Sequence, residues 1–448
     1  MLTPDEARAR CEALVDRARR AGADAADAVY SAEAAQSVRV RLGALEDVER
    51  SESEHASLRV FAGRGTASIG SSDLSDAALD ELAARAVAMA RAAPEDKFAG
   101  LAPAELLLHD APPALDLADA EEPPATQLRR IAEEAEDAAR AVRGISNSEG
   151  AGASAGSSVR ALVTSHGFAG AYASTLHSTS ASVVAGEGAG MQRDYAWRSA
   201  RHASDLIAPA EIGRLAGERA VARLNPGTLQ SGARPVVFDP RVGGSLIGHL
   251  LGAISGAAVA RRASFLLGRE GEAIFGAGVT IADDPLRPRG PRSRPFDAEG
   301  LPTAPSALID AGRLTGWMME SASARQLGRS PTGHAARSGG GAPGVTAGNV
   351  TMVAGEVSRE ELIADIADGV LITELIGQGV NGVTGDYSRG ASGFRIVAGE
   401  IAGPVAGFTI AGNLLEMFAA ITPADDLEVY RGIDVPTLRV DGMTVAGD

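Results

Sequence analysis

Apolar residues recur at helical spacing near the N-terminus of this chain. Thr3, Pro4 and Glu6 fit the N-cap, N1 and N3 positions of a helix that opens with a capping box. The buried stripe predicted for this helix is Ala7, Cys11, Leu14, Val15 and Ala18. A second helical stripe, between residues 74 and 92, is Leu79, Leu82, Ala83, Ala86 and Val87. Because Cys11 lies on the first stripe, we interpret it as a small core residue rather than a nucleophile.

Strand patterns alternate with these helices. Val38, Val40 and Leu42 are separated by arginines, which is the period of a half-buried strand. The pattern predicts further strands at 58–61, within 146–184, at 235–238 and at 370–376, and further helices at 126–142, 208–223, 243–260 and 359–367. A proline-rich and acidic stretch, 94–124, is predicted to connect two parts of the chain.

The predicted organisation has three parts. Residues 1–110 form an N-terminal α/β domain, and residues 111–230 form a middle α/β segment. The main boundary lies near residue 230, because the chain beyond it is rich in glycine and short strands. Residues 231–448 therefore form the predicted β-rich C-terminal domain.

Composition narrows the possible partners. The formal net charge of −16 argues against a general nucleic-acid binder, since phosphate attraction needs a basic surface. The single cysteine suits a reducing compartment, and no apolar run has the length of a membrane span. Residues 1–10 also lack the apolar stretch of a signal peptide, so we expect a cytoplasmic protein without direct nucleic-acid or membrane contact.

The predicted helix 243–260 contains the first candidate for chemistry, His249. This ring lies off the apolar stripe, so it either points into a cleft or bonds a neighbouring carbonyl. A catalytic zinc ion needs about three protein ligands, commonly two histidines on one helix with a carboxylate beside them. Gly248, Leu250 and Ala253 offer none of these donors. The sequence therefore predicts no metal ligand and no catalytic residue here.

A glycine-rich loop, Gly377 to Gly382, follows the predicted strand 370–376. It matches the G-x-G-x-x-G pattern, but a dinucleotide site also needs a helix that begins at the loop. The following residues resemble a turn and a strand, so we reject a nucleotide site. The polar side chains of this region are candidates for substrate or partner contact: Gln378, Asn381, Asp386 and Arg389.

The segment 283–305 is basic in an otherwise acidic protein. Its arginines are Arg287, Arg289, Arg292 and Arg294, and prolines stiffen the segment. It is either a solvated loop or a basic arm that holds a carboxylate-bearing peptide or an acidic partner.

Asp386, Ser388 and His334 could form a hydrolytic triad, although no G-x-S-x-G elbow is present.

These segments resemble the TldD/PmbA family, and specifically its PmbA (TldE) branch. The resemblance rests on LRVF (58–61), GGSLIGHLLGAISGAAVARRASF (243–265), SRPFD (293–297), TELIGQGVNGVTGDYSRGASGF (373–394) and TIAGNL (409–414). It implies an α+β fold: N-terminal α/β regions are followed by a larger β-rich C-terminal domain. The helix and strand signals agree with that fold but would not name it.

The resemblance also implies a heteromeric zinc metallopeptidase that degrades or matures peptides. TldD-type chains carry the zinc on an H-E-x-x-x-H helix and a C-terminal cysteine. Gly248, His249 and Ala253 stand here where those chains have His, Glu and His, and Cys11 is far from the C-terminus. The implied cofactor therefore belongs to a TldD-type partner subunit, with none in this chain.

We hypothesise that this chain positions unfolded peptides near the zinc of its partner. The candidate contacts are His249, the four arginines of 283–305, and Gln378, Asn381, Asp386 and Arg389. One alternative is a protein-binding modulator, for example of DNA gyrase, without a proteolytic role. A stand-alone hydrolase without metal, using Asp386, Ser388 or His334, is the other.

Overall fold

The first half of the chain forms one six-stranded antiparallel sheet with helices on one face. The computed structural model describes residues 1–447. The strands are β1 (Ala25–Arg41), β2 (Ala44–Ala62), β3 (Gly65–Ser71), β4 (Ile145–Thr164), β5 (Ala169–Ala185) and β6 (Gln192–Ala200), and the helices are α1 (Pro4–Arg20), α2 (Asp76–Ala92), α3 (Ala125–Arg140) and α4 (Pro209–Ala222). The strand order is β3-β2-β1-β4-β5-β6.

The local predictions for α1 and α2 are confirmed. Thr3 Oγ1 accepts a hydrogen bond from Glu6 N at 3.3 Å, and Thr3 N donates to Glu6 Oε2 at 2.8 Å, which completes the capping box. The predicted apolar stripes of both helices are buried. They pack against alternate residues of β1, such as Ala28 and Tyr30, which point to the helical face of the sheet.

The opposite face of this sheet meets the C-terminal half. Tyr172 on β5 contacts Phe296 with ring centroids 5.5 Å apart. Asp27 on β1 is fully buried; Arg59 Nε donates to its Oδ2 at 2.9 Å, and both terminal nitrogens of Arg337 donate to its two oxygens at 2.6 Å. Burial disfavours the carboxylate, but Arg337 and Arg59 together lower the pKa of Asp27 to about 2.

The second half contains three sheets. Its strands are β7 (Gly232–Phe238), β8 (Ile281–Asp284), β9 (Ser306–Asp310), β10 (Arg313–Leu314), β11 (Ala335–Ala336), β12 (Gly344–Val345), β13 (Asn349–Met352), β14 (Asp368–Val380), β15 (Asp386–Val397), β16 (Glu400–Asn413), β17 (Ile421–Pro423), β18 (Ile433–Asp434) and β19 (Leu438–Ala446). The helices are α5 (Pro240–Ala253), α6 (Gly256–Ala260), α7 (Ser321–Leu327), α8 (Arg359–Ile363) and α9 (Leu414–Ala419).

The largest of these sheets has the order β16-β15-β14-β7-β19-β17, and β16 also pairs with β19. Strands β16, β15, β14, β7 and β19 therefore close on themselves. A five-stranded sheet, β10-β9-β8-β13-β18, and the β11-β12 pair complete the C-terminal half. The α+β class, with an N-terminal α/β region and a β-rich C-terminal part, is confirmed.

The prediction of one continuous helix at 243–260 is wrong. The chain forms α5 and α6 with a break between Ala253 and Gly256. The backbone there pairs with a neighbouring segment: Met318 N donates to Ile254 O at 2.9 Å, and Gly256 N donates to Met318 O at 2.7 Å. A Cβ atom on Gly256 would lie 2.6 Å from Ser323 Oγ, so this close approach requires glycine. The helix predicted at 359–367 also ends early, at Ile363.

The sheet pairing bears on the proposed division of the first half. Strands from 1–110 and from 111–230 share one sheet, with β1 paired to both β2 and β4. The boundary between these two parts stays a prediction. Within residues 1–447, no helix combines the length and the apolar character needed to cross a bilayer.

The buried triad of Asp27, Arg59 and Arg337 generates a stability prediction. Replacing Asp27 with Asn leaves two buried guanidinium groups without their counter-charge, so we expect a loss of about 3–5 kcal/mol in the free energy of unfolding. Denaturant titration followed by circular dichroism measures it. The control is Glu33→Gln on the same strand, whose exposed pairing with Arg160 at 3.5 Å is worth at most about 1 kcal/mol. Equal effects of the two substitutions would contradict the prediction.

Candidate functional site

Helix α5 presents His249 towards strand β15. Pro240 occupies the first turn, and the Asp239 carboxylate caps the helix by accepting a hydrogen bond from Arg241 N at 3.0 Å. Leu246 and Leu250 bury the apolar face of the helix in the C-terminal core. The half-buried ring of His249 lies beside Tyr387, edge-on, with centroids 6.0 Å apart.

Strand β15 supplies two buried polar side chains to the same region. Tyr387 and Arg389 point inward, whereas Asp386 and Ser388 are exposed, as the two-residue period of a strand requires. Within the described chain, His249 Nε2, the Tyr387 hydroxyl and Arg389 Nε are buried without a hydrogen-bond partner. Buried polar atoms are normally paired, so three unpaired atoms in one place mark a candidate site.

The charge states of this group follow from burial and from Arg389. Burial, and secondly the positive charge of Arg389, lower the pKa of His249 below its usual value. Burial raises the pKa of Tyr387 to about 12, although Arg389 opposes the shift. At neutral pH the site therefore holds a neutral imidazole, a neutral phenol and one guanidinium cation.

A zinc ion does not fit this donor set. His249 offers one imidazole nitrogen, and its polar neighbours are a neutral phenol and a guanidinium rather than carboxylates or further imidazoles. The positive charge that disfavours protonation of His249 also repels a divalent cation. Across residues 1–447, no three His, Cys, Asp or Glu side chains converge in a way that could hold a metal ion.

The glycine-rich loop forms the tip of a hairpin. Strand β14 continues to Val380, so Gly377 and Gly379 lie within it. A turn follows, in which Asn381 N donates to Asp386 O at 2.8 Å, and β15 begins at Asp386. A strand, not a helix, thus follows the glycines, as the sequence predicts. Gln378, Asn381 and Asp386 are exposed and line a shallow groove of about 590 Å³. The structure therefore separates them from the inward-facing Arg389.

The basic segment lies against the protein rather than in solvent. Arg287 and Arg294 donate to residues 346–349, and Arg289 Nε donates to Asp116 Oδ2 at 2.5 Å. Arg292 Nη2 donates to Thr346 Oγ1 at 3.3 Å. Arg292 also lines two cavities between the first sheet and the C-terminal half, of about 780 Å³ and about 820 Å³. Of the four arginines, Arg292 is thus the one whose position suits contact with a ligand in both cavities.

His334 is engaged away from Asp386 and Ser388. Its Nδ1 lies 2.8 Å from Thr332 Oγ1, and its Nε2 lies 3.3 Å from Asp283 Oδ2. Because both ring nitrogens have partners, neither is free to take a proton from Ser388. This arrangement disfavours the hydrolytic triad.

A cavity of about 820 Å³ lies where the first sheet meets the C-terminal half, and we call it the junction cavity. Arg389 lines it together with Thr373, Trp197 and Arg431. Its acidic residues have partners: Asp194 accepts from Arg241 Nη1 at 2.8 Å, and Glu374 accepts from Arg223. The sequence pattern did not single out Thr373 or Arg431, because only the fold brings β6, β14 and residue 431 together.

Comparison with known proteins places this chain in a family. The chain matches three models of the PmbA/TldA metallopeptidases: domain 1 over residues 26–90, the central domain over 118–224 and the C-terminal domain over 231–447. It is 38% identical over 427 residues to Metalloprotease PmbA of Escherichia coli O157:H7, covering 95% of this chain and 92% of that protein. This chain belongs to the PmbA/TldD metallopeptidase family.

Solved structures of similar proteins share the PmbA/TldD fold over the whole chain. A proposed modulator of DNA gyrase from Bacteroides thetaiotaomicron superposes with a TM-score of 0.92 and 25% identity, covering 100% of both chains. TldE from Thermococcus kodakarensis superposes with a TM-score of 0.83 and 21% identity, covering 98% of this chain and 100% of that one. The family resemblance inferred from the sequence motifs is thereby confirmed.

The electrostatic influence of Arg389 on His249 generates a prediction about pH. Replacing Arg389 with Met removes a positive charge beside the ring, so the pKa of His249 rises, but it stays below the usual value because burial is the larger cause. Nuclear magnetic resonance titration of the imidazole, assigned with His249→Ala, measures it. Arg395→Met, on the same strand and paired with Asp368, is the control and leaves the pKa unchanged. A pKa that falls or does not move in Arg389→Met contradicts the assignment.

Proposed function

We propose that this chain is the non-catalytic, peptide-positioning subunit of a TldD-type zinc metallopeptidase complex. Membership of the PmbA/TldD metallopeptidase family supports a role in peptide hydrolysis. The surroundings of His249 carry the proposal: one imidazole faces a phenol and a guanidinium, which is a poor environment for a zinc ion. In this proposal the zinc and the water that it activates belong to the partner subunit.

The shape of the chain supports the positioning role. Strand β6 is the last strand of the first sheet and is paired with β5, and alternate residues on one face of β6 line the junction cavity. An extended peptide can add to such an edge through its backbone. Holding the peptide beside a partner's zinc accelerates cleavage by orientation, without chemistry in this chain.

The remaining parts of the proposal concern location and substrate. We infer a cytoplasmic location, which the single buried cysteine and the acidic charge suit. We infer that the substrates are unfolded peptides, because a strand edge offers its hydrogen bonds to extended backbone and not to folded domains. Binding of extended peptides at a strand edge is compatible with both degradation and maturation of peptides.

Purification of this chain, alone and together with the TldD-type chain encoded in the same genome, tests the proposal. We expect stoichiometric zinc and cleavage of an unfolded peptide from the pair, with neither from this chain alone. A partner whose metal-binding helix is substituted is the negative control. In the active pair, His249→Ala in this chain leaves the zinc content unchanged. Zinc binding and hydrolysis by this chain alone would falsify the proposal.

A second candidate function is a protein-binding modulator of DNA gyrase. The observation that favours it is the similarity to the proposed gyrase modulator, at 25% identity over the whole chain. Affinity capture from an extract of the native organism separates the two candidates. Recovery of a chain with an H-E-x-x-x-H helix supports the peptidase pair, whereas recovery of gyrase without such a chain supports the modulator.

A further inference from the structure

The junction cavity has an excess of positive charge in a protein whose net charge is −16. Asp194 and Glu374 are already paired with arginines, as described above. Arg193, which also lines the cavity, is paired with Glu149 at 3.6 Å. Beyond these pairs, the cavity is lined by Arg292, Arg389 and Arg431. A concave site that concentrates one sign of charge attracts a ligand of the opposite sign.

Two buried polar groups face this cavity without partners. Arg389 is 8% exposed and Thr373 is 6% exposed, and Arg389 Nε and Thr373 Oγ1 have no hydrogen-bond partner within residues 1–447. Thr373 lies at a β-bulge, where the register with β15 shifts between Ile372 and Glu374. A bulge re-aims a side chain, and an unpaired buried donor costs about 1–3 kcal/mol unless a ligand satisfies it.

A second cation, Arg431, is preorganised in the lining of the cavity. The guanidinium of Arg431 stacks on Tyr430, 4.1 Å from the ring centroid, which restricts its rotation. Burial lowers the pKa of Arg431, and the nearby carboxylates of Asp239 and Asp434 oppose this shift. An anion between Arg389 and Arg431 would therefore be stabilised by both.

The rest of the lining suits a peptide. Leu176, Trp197 and Leu375 provide apolar surface, and the cavity volume of about 820 Å³ lies within the usual range for small-ligand sites. Alternate residues of β6, such as Tyr195 and Trp197, line the same wall, and side chains already bond two carbonyls of this strand: Arg219 donates to Tyr195 O and Arg198 to Trp197 O, both at 3.2 Å. A short extended chain can therefore lie along this wall while its charged end reaches the arginines.

We propose that the junction cavity binds a peptide by its carboxylate group, which accepts hydrogen bonds from Arg389, Arg431 and Thr373. This inference deepens the proposed function and rests on it for the peptide nature of the ligand. A carboxylate suits the planar guanidinium of Arg389. A phosphate dianion suits the cavity less well, since Glu374 and Asp194 also line it and repel the second charge.

Calorimetric titration of the purified full chain tests the site without a partner or zinc. The probes are an acetylated pentapeptide of uncharged residues with a free C-terminal carboxylate, the same peptide as its C-terminal amide, and inorganic phosphate. We expect the free acid to bind at least about tenfold more tightly than the amide, the loss typical of one charge-assisted hydrogen bond. Trp197 lines the cavity, so its fluorescence should change on binding, and Trp197→Phe should abolish that change.

Variants identify the residues. Arg389→Met and Arg431→Met each lower the affinity for the free-acid peptide about tenfold or more and leave the affinity for the amide unchanged. Thr373→Val lowers the affinity for the free acid less, because it removes a neutral donor. The control is Arg214→Met, an exposed arginine paired with Glu218 on α4, which changes nothing. If Arg389→Met does not fold, as judged by circular dichroism, Arg431→Met tests the same hypothesis, because Arg431 is less buried.

Three results would overturn the inference. Equal affinity for the acid and the amide shows that no carboxylate site exists. Unchanged binding of the acid in Arg431→Met and Thr373→Val places the site elsewhere. Binding of phosphate without binding of the peptide acid assigns the cavity to a different ligand. Each result is independent of zinc and of cleavage, so the inference can fail while the subunit role stands.

Discussion

The buried ion triad of Asp27, Arg59 and Arg337 sets the relation between the two halves of this protein. Its carboxylate lies on β1, one guanidinium lies on the adjacent strand, and the other comes from a segment 310 residues later. Charges withdrawn from water are stable only in good geometry, so the triad tolerates little displacement of one half against the other. The cleft that holds the cavities lies between the same two halves, and its width therefore depends on this contact.

The polar groups beside β15 in the C-terminal half centre on one buried guanidinium, that of Arg389. Arg389 occupies an inward-facing position of β15, where an apolar residue would ordinarily complete the core. Burial, and secondly the charge of Arg389, keep His249 neutral, and the same charge repels a divalent cation. Arg389 also lines a cavity together with Thr373, which lies at a bulge. One buried guanidinium thus both disfavours a cation beside His249 and offers a place where an anionic group can be held.

Local signals allowed much of the fold to be predicted. The capping box of Thr3 and Glu6 and the apolar stripe of α2 involve residues within a few positions of each other, and both occur as predicted. The break at Ile254–Gly256 was not predictable, because it results from pairing with Met318, which is distant in sequence. The residues of the site are likewise brought together by contacts between distant parts of the sequence. Arg389 could be selected from its motif, whereas Thr373 and Arg431 join it only through strand pairing and packing.

We propose that this chain shapes a peptidase site whose metal lies in another subunit. Crystallography of the complex with its TldD-type partner, with anomalous differences recorded at the zinc absorption edge, locates the ion directly. We expect one zinc peak per pair, in the metal-binding helix of the partner, and featureless density beside His249. A zinc peak coordinated by His249 or by other side chains of this chain would contradict it.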